Sequence, residues 1–198
     1  MTLVSSPVCS QKDEADIFFL IDDSESIEDQ DFDEMKDFII EFLNPFNIGP
    51  DHVRVGLVKF GDVPTLEFDL TAWSNADEVK NAVRSVIHEK SGTKTGRALS
   101  SMDEHFRRAE STRGHKVPEY LIVITDGKSN DAVSDPARRL RDQDIMIYAV
   151  GVKESVTSEL EEIAGDPKRA VFVNNFDALK SIKELIVTDI CVPDGEEK

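Results

Sequence analysis

The chain has 198 residues, with 40 acidic against 23 basic side chains and a formal net charge of −17. That length suits one domain with a substantial core, and 39% apolar with 32% charged residues points to a folded, soluble chain. So acidic a composition lacks the basic face that nucleic acid or an anionic membrane surface requires, and no apolar run approaches the length of a membrane span. It suits a cation site, cationic partner surfaces or plain solubility.

Residues 1–14 read as a lead-in: Met1–Val4 carries no basic start or long apolar region, so no signal peptide is seen and the chain reads as an excised domain. Residues 16–22 form an apolar run of the kind a buried strand shows. Phe32, Met35, Phe38, Ile39, Phe42, Leu43 and Phe46 recur at helical spacing and predict a helix over 30–46, stopped by Pro45 and Gly49. Val53, Val55 and Leu57 alternate with Arg54 and Gly56 and run on through Phe60 as a second strand. A turn around Gly61–Pro64 then predicts a hairpin into an antiparallel edge strand over 65–70. Ala76, Val79, Val83, Val86 and Ile87 mark a helix capped by Ser74 or Asn75. Residues 95–110 carry Ala98, Leu99, Met102 and Phe106 as another helix, and 119–125 form the next strand. Pro136 opens a helix to about Asp142, with Asp135 as its cap. A strand over 145–151, a helix over 156–164, a strand over 169–173 and a helix over 176–190 complete the domain, placed at 15–191, and 192–198 read as a solvated tail. Strands alternating with helices predict an α/β domain: an open, mostly parallel, doubly wound sheet with one antiparallel edge strand and helices on both faces.

The only two cysteines, Cys9 and Cys191, flank the first strand and the last helix. That placement favours a bridge joining the domain's ends, and hence a secreted protein, over two unrelated thiols.

The apolar strand ends directly on Asp22-Asp23-Ser24-Glu25-Ser26. Loops after strand ends are where open α/β sheets place binding sites. Asp22, Ser24 and Ser26 offer oxygen donors only, which suits Mg²⁺, Mn²⁺ or Ca²⁺. Two later segments add to this set: Ser91-Gly92-Thr93 before a helix, and Thr125-Asp126-Gly127 at the end of a strand. Each alone has a bland reading: Asp22, Ser24 and Ser26 could cap the helix at 30–46, Thr93 and Thr95 the next one, and Asp126-Gly127 could be a plain turn.

The order D-x-S-x-S, G-x-T, T-D-G resembles the metal-ion-dependent adhesion site of von Willebrand factor type A domains. The match covers residues 15–190, and Phe19–Asp22, Ser24–Ile27 and Ile124–Asp131 are most similar to the A domains of collagen VI and related matrix proteins such as matrilins. The resemblance implies one divalent cation, Mg²⁺ or else Mn²⁺ or Ca²⁺, held by Asp22, Ser24, Ser26, Thr93 and Asp126. A position left open would admit a partner's carboxylate. It implies a secreted, extracellular-matrix adhesion module whose partners are matrix proteins such as collagens or other A domains. A filament-assembly module that makes no use of the metal is the alternative. Asp23 and Glu25 stand where the family often has glycine, and both are expected to face outward.

An enzyme is disfavoured. No G-x-S-x-G surrounds Ser24 or Ser26, no G-x-x-x-x-G-K-[ST] loop occurs, and the first strand is not followed by G-x-G-x-x-G. His52, His88, His105 and His115 read as surface residues. The basic clusters Arg107-Arg108, Arg113–Lys116 and Arg138–Arg141 could bind sulfated glycans but read first as solvated helix faces.

Overall fold

A computed structural model describes Cys9 and residues 13–191. The lead-in apart from Cys9, Asp13 and Glu14, and the tail at 192–198, lie outside the described residues. Six strands form one sheet in the order β3-β2-β1-β4-β5-β6. They are β1 (Ala15–Asp22), β2 (Val53–Phe60), β3 (Pro64–Phe68), β4 (Glu119–Thr125), β5 (Ile145–Val152) and β6 (Ala170–Val173). All neighbours pair in parallel except β2 with β3, the antiparallel edge. The helices are α1 (Asp29–Phe42), α2 (Ala76–Arg84), α3 (Thr95–Arg113), α4 (Ser134–Arg141), α5 (Thr157–Ala164) and α6 (Leu179–Cys191).

Strand β1 lies at the centre, and every one of its eight residues is buried. Its side chains alternate between two cores. Ile17, Phe19 and Ile21 pack with Phe38, Phe42 and Ile186 from α1 and α6. Phe18 and Leu20 pack with Met102 and Phe106 of α3 and with Leu140 and Ile163. Two charged residues inside these strands are paired. Asp16 and Arg54 face each other in register, and the Arg54 guanidinium makes a two-pronged contact to Asp16 at 2.7 and 2.8 Å. Arg113 adds a third bond to Asp16 at 2.8 Å. Two guanidinium groups thus compensate a fully buried carboxylate that would otherwise be costly.

Several element ends differ from the sequence reading. Helix α1 stops at Phe42, not 46, because Pro45 disfavours helical backbone at Asn44. Phe46 is nonetheless buried, which prolonged the apparent periodicity. Helix α2 stops at Arg84, so Ile87 is 71% exposed. Asn75 is its cap, accepting a 3.0 Å bond from the Glu78 amide. Helix α3 runs on to Arg113 and ends at Gly114, whose φ of 80° is left-handed. Asp135 lies inside the first turn of α4 and does not cap it. Short 3₁₀ turns precede β6 and α6.

Cys9 and Cys191 form a disulfide with Cα atoms 5.4 Å apart. The Cys9 amide also bonds the Pro45 carbonyl at 3.0 Å. The end of α6 is thereby fastened to the chain entering β1.

Candidate metal centre

The site forms at the C-terminal ends of the adjacent strands β1 and β4. The Asp22 carboxylate is fully buried. Its Oδ1 accepts the Ser24 amide at 2.9 Å, which turns the chain sharply out of the strand. Its Oδ2 accepts the Thr125 hydroxyl at 2.7 Å and the Asp126 amide at 3.4 Å. Across the gap, Asp126 Oδ1 accepts the hydroxyls of Ser26 at 3.0 Å and Ser24 at 3.4 Å, and those two hydroxyls lie 3.0 Å apart. Four of the five sequence-predicted ligands therefore share one hydrogen-bonded cluster.

Thr93 arrives on a loop pinned to both neighbours. Ser91 pairs with Ser24 as an isolated bridge, and its carbonyl accepts the Glu25 amide at 2.9 Å. The Thr93 carbonyl accepts the Asn130 amide at 2.8 Å from the loop after β4.

The bland alternatives fare differently. The residue before α1 is Glu28, and no side chain caps that helix, so Asp22, Ser24 and Ser26 are not its caps. No cap bond comes from Thr93 or Thr95 either. Helix α3 is capped from a distance by Asp131, which accepts the Gly96 and Arg97 amides at 2.7 and 2.8 Å. The sequence reading missed Asp131, and it missed Thr125 as the partner of Asp22. The Thr95 hydroxyl is buried without a hydrogen-bond partner.

The electrostatics fit a cation. Burial pushes the Asp22 carboxyl up to about 6, and the neighbouring Asp126 charge adds to this against the hydrogen bonds from Ser24 and Thr125. Two carboxylates share a small space lined by hydroxyls and amides, and the Lys153 ammonium, which bonds Asp31, adds attraction to the Asp126 charge. Among the described residues no group of three or more carboxylate, histidine or cysteine ligands occurs, so hydroxyl donors must complete any ion's shell. Oxygen-only donors with two charges suit a hard divalent ion.

Three residues depart from the expectations drawn from the sequence. Glu25 is exposed as expected, but Asp23 is buried and turned inward. Its Oδ2 lies 3.6 Å from Lys59 Nζ, and its Oδ1 accepts the Glu89 amide at 2.9 Å. The cause is Lys59, an ammonium on the buried strand β2 that needs anionic partners. It bonds the Ile87 carbonyl at 2.7 Å and lies 3.2 Å from Glu89 and 3.4 Å from Glu67. His88 is also not a surface residue. Its ring stacks on Phe32 at 4.5 Å, and its Nε2 lies 3.1 Å from the Ser24 carbonyl. His105 is half-buried against Phe18.

Most side chains of the basic clusters are paired, although Arg139 is exposed. Arg107 pairs with Asp103, Arg108 with Glu104, Arg138 with Asp135 and Lys116 with Asp144. Arg141 bonds the carbonyls of Glu162 and Ile163, and Arg113 is taken up by Asp16.

Residues 16–185 match the von Willebrand factor type A domain. The chain belongs to that family. This A domain is 42% identical to the human collagen alpha-6(VI) chain over 187 residues, which are 94% of this chain but 8% of that one. It is 35% identical to mouse matrilin-2 over 188 residues, 92% of this chain and 20% of the relative. The structure of proximal thread matrix protein 1 from the mussel byssus, with a zinc-occupied MIDAS motif, superposes with a TM-score of 0.83 at 26% identity, covering 91% of this chain and 48% of that one. No helix among the described residues is long and apolar enough to cross a membrane.

Proposed function

We propose that this A domain is a non-enzymatic interaction module of a secreted extracellular-matrix protein, and that it recognises protein partners through a divalent cation. The observation that carries this reading is the cluster of Asp22, Ser24, Ser26 and Asp126 at the ends of two adjacent strands, where two carboxylates meet two hydroxyls and none of them serves as a helix cap. Asp22 and Asp126 would balance the ion's charge, and Ser24, Ser26 and Thr93 would supply neutral oxygens. When bound, Mg²⁺ or another divalent ion such as Mn²⁺ or Ca²⁺ supplies a Lewis-acidic position to a partner's carboxylate. Thr125 holds Asp22 in its buried orientation, and the bridge between Ser24 and Ser91 holds the Thr93 loop against the β1 loop. The zinc-occupied MIDAS of the mussel relative, and the collagen VI and matrilin relatives, support a divalent ion and a matrix setting.

A second reading is favoured by one feature. Glu25 and Glu28 are exposed beside the site, and their charge opposes an incoming carboxylate. On that reading the domain assembles matrix filaments through its faces and the ion serves stability. Adhesion to immobilised collagens and A domains separates the two. Binding that requires Mg²⁺ and disappears in chelator or in Asp126→Ala supports the first reading, and binding indifferent to both refutes it.

A further inference from the structure

A groove of about 460 Å³ lies between β3 and α2, at the antiparallel edge of the sheet. It shares no residue with the metal cluster. Phe68, Trp73 and Ala82 form its apolar lining, with Glu67, Glu78 and Asn81 around them. Trp73 is the chain's one tryptophan and is 40% exposed, whereas most large aromatic side chains here are deeply buried. Its ring stands edge-on to Phe68 with centroids 6.5 Å apart, so packing holds one side of the indole and leaves the rest open.

Among the described residues no basic side chain pairs with Glu78, whose Oε2 accepts the Ser74 amide at 2.8 Å and leaves the carboxylate's charge in place. Glu67 lies 3.4 Å from Lys59, but that ammonium also faces Asp23 and Glu89, so three carboxylates share one positive charge. The nearby Arg84 is directed to the Asn81 side-chain oxygen at 3.1 Å. An open indole flanked by under-compensated carboxylates is the chemistry that takes a guanidinium or ammonium group: the ring's negative face attracts the cation and the carboxylates bond its N–H groups. A net charge of −17 disfavours a second copy of the same chain as the occupant.

We propose that the groove between Trp73, Glu67 and Glu78 is a second interaction site, independent of the metal, that captures an arginine- or lysine-bearing segment of a partner protein. Trp73 is its built-in reporter. A blocked glycine-arginine repeat peptide, titrated in chelator, is expected to change tryptophan fluorescence saturably, while the matching peptide with citrulline for arginine does not. Glu67→Gln with Glu78→Gln keeps the side-chain shapes and should weaken binding at least about fivefold. Trp73→Leu, followed by anisotropy of a dye-labelled peptide, should lose a similar factor and provides the test if the double variant melts early. Equal responses to the arginine and citrulline peptides, or undiminished binding in Trp73→Leu, overturn the proposal. So does self-association with a concentration-dependent fluorescence change in the absence of peptide, which would assign the groove to a second copy. The chelator separates this result from failure of the metal site.

Discussion

Glu119 opens β4 beneath the end of α3 and has only 9% of its surface exposed. The nearby guanidinium groups are committed elsewhere. Arg54 bonds Asp16, Thr112 and the Ala109 carbonyl, and Arg113 bonds Asp16. Burial therefore pushes the Glu119 carboxyl up to about 7, with Asp16 and Glu110 adding repulsion. The folded state holds a proton that the unfolded chain, at its ordinary value of 4.5, has released. Stability from this group is thus highest below pH 4.5, falls as pH rises toward 7, and stays reduced above it. A rise of this size corresponds to about 3 kcal/mol at most, and water at the strand end lowers that to about 1–2 kcal/mol. Glu119→Gln keeps the shape and cannot ionise. It should raise stability by about 1–2 kcal/mol at pH 8, or about 2–8 °C in melting temperature, and change little at pH 4.5. Urea unfolding of both proteins in chelator at the two pH values tests this, and Asp22, common to both, cancels in the difference. A Glu119→Gln effect that is the same at both pH values would refute the reasoning.

The disulfide spans 182 residues of sequence, so the loop-entropy estimate for Cys9→Ser with Cys191→Ser is a loss of about 5 kcal/mol, an upper bound that urea unfolding can check. The same tether, with the bond from Tyr148 to Asp189 on α6, should keep α6 in place when a partner binds, because a one-turn shift of about 5.4 Å would pull Cys191 away from Cys9 unless the lead-in yields. A bound-state structure with α6 displaced and the bridge intact would contradict that. Gly56→Ala would place a Cβ 2.2 Å from the fully buried Phe18 ring, and overpacking at that point should cost about 1–3 kcal/mol in chemical denaturation; a neutral effect would show that the ring moves freely.

The alternation of strands and helices, the antiparallel edge strand and the loops that bring Asp22, Ser24, Ser26 and Asp126 together were largely legible in the sequence because they rest on local signals: apolar runs, and oxygen donors placed directly after them. Asp22 ends and Asp126 follows a strand whose central residues, Ile17–Ile21 and Leu121–Ile124, are all apolar, so their loops could be placed. Legibility failed where a residue's partner comes from a distant segment. Asp23 was read outward by alternation, but Lys59, thirty-six positions away, draws it inward. Lys59 in the buried strand β2 was a signal that an acidic partner existed, as Arg54 in the same strand was for Asp16. Asp131 could not be recognised as the cap of α3, because it follows that helix in sequence and meets it only through the fold. The ends of α1 and α2 were overrun because Phe46 and Val86 stay buried after the backbone has left the helix.

The central claim is that the loops after β1 and β4 hold one divalent ion. Calorimetric titration of Mg²⁺ or Mn²⁺ into the purified domain tests it most directly. One saturable site is expected in the wild type and in Glu25→Ala. It should be lost in Asp22→Ala and in Asp126→Ala, with a metal-dependent rise in melting temperature in the first two proteins only. Binding heat that persists unchanged in Asp22→Ala and Asp126→Ala would contradict the assignment.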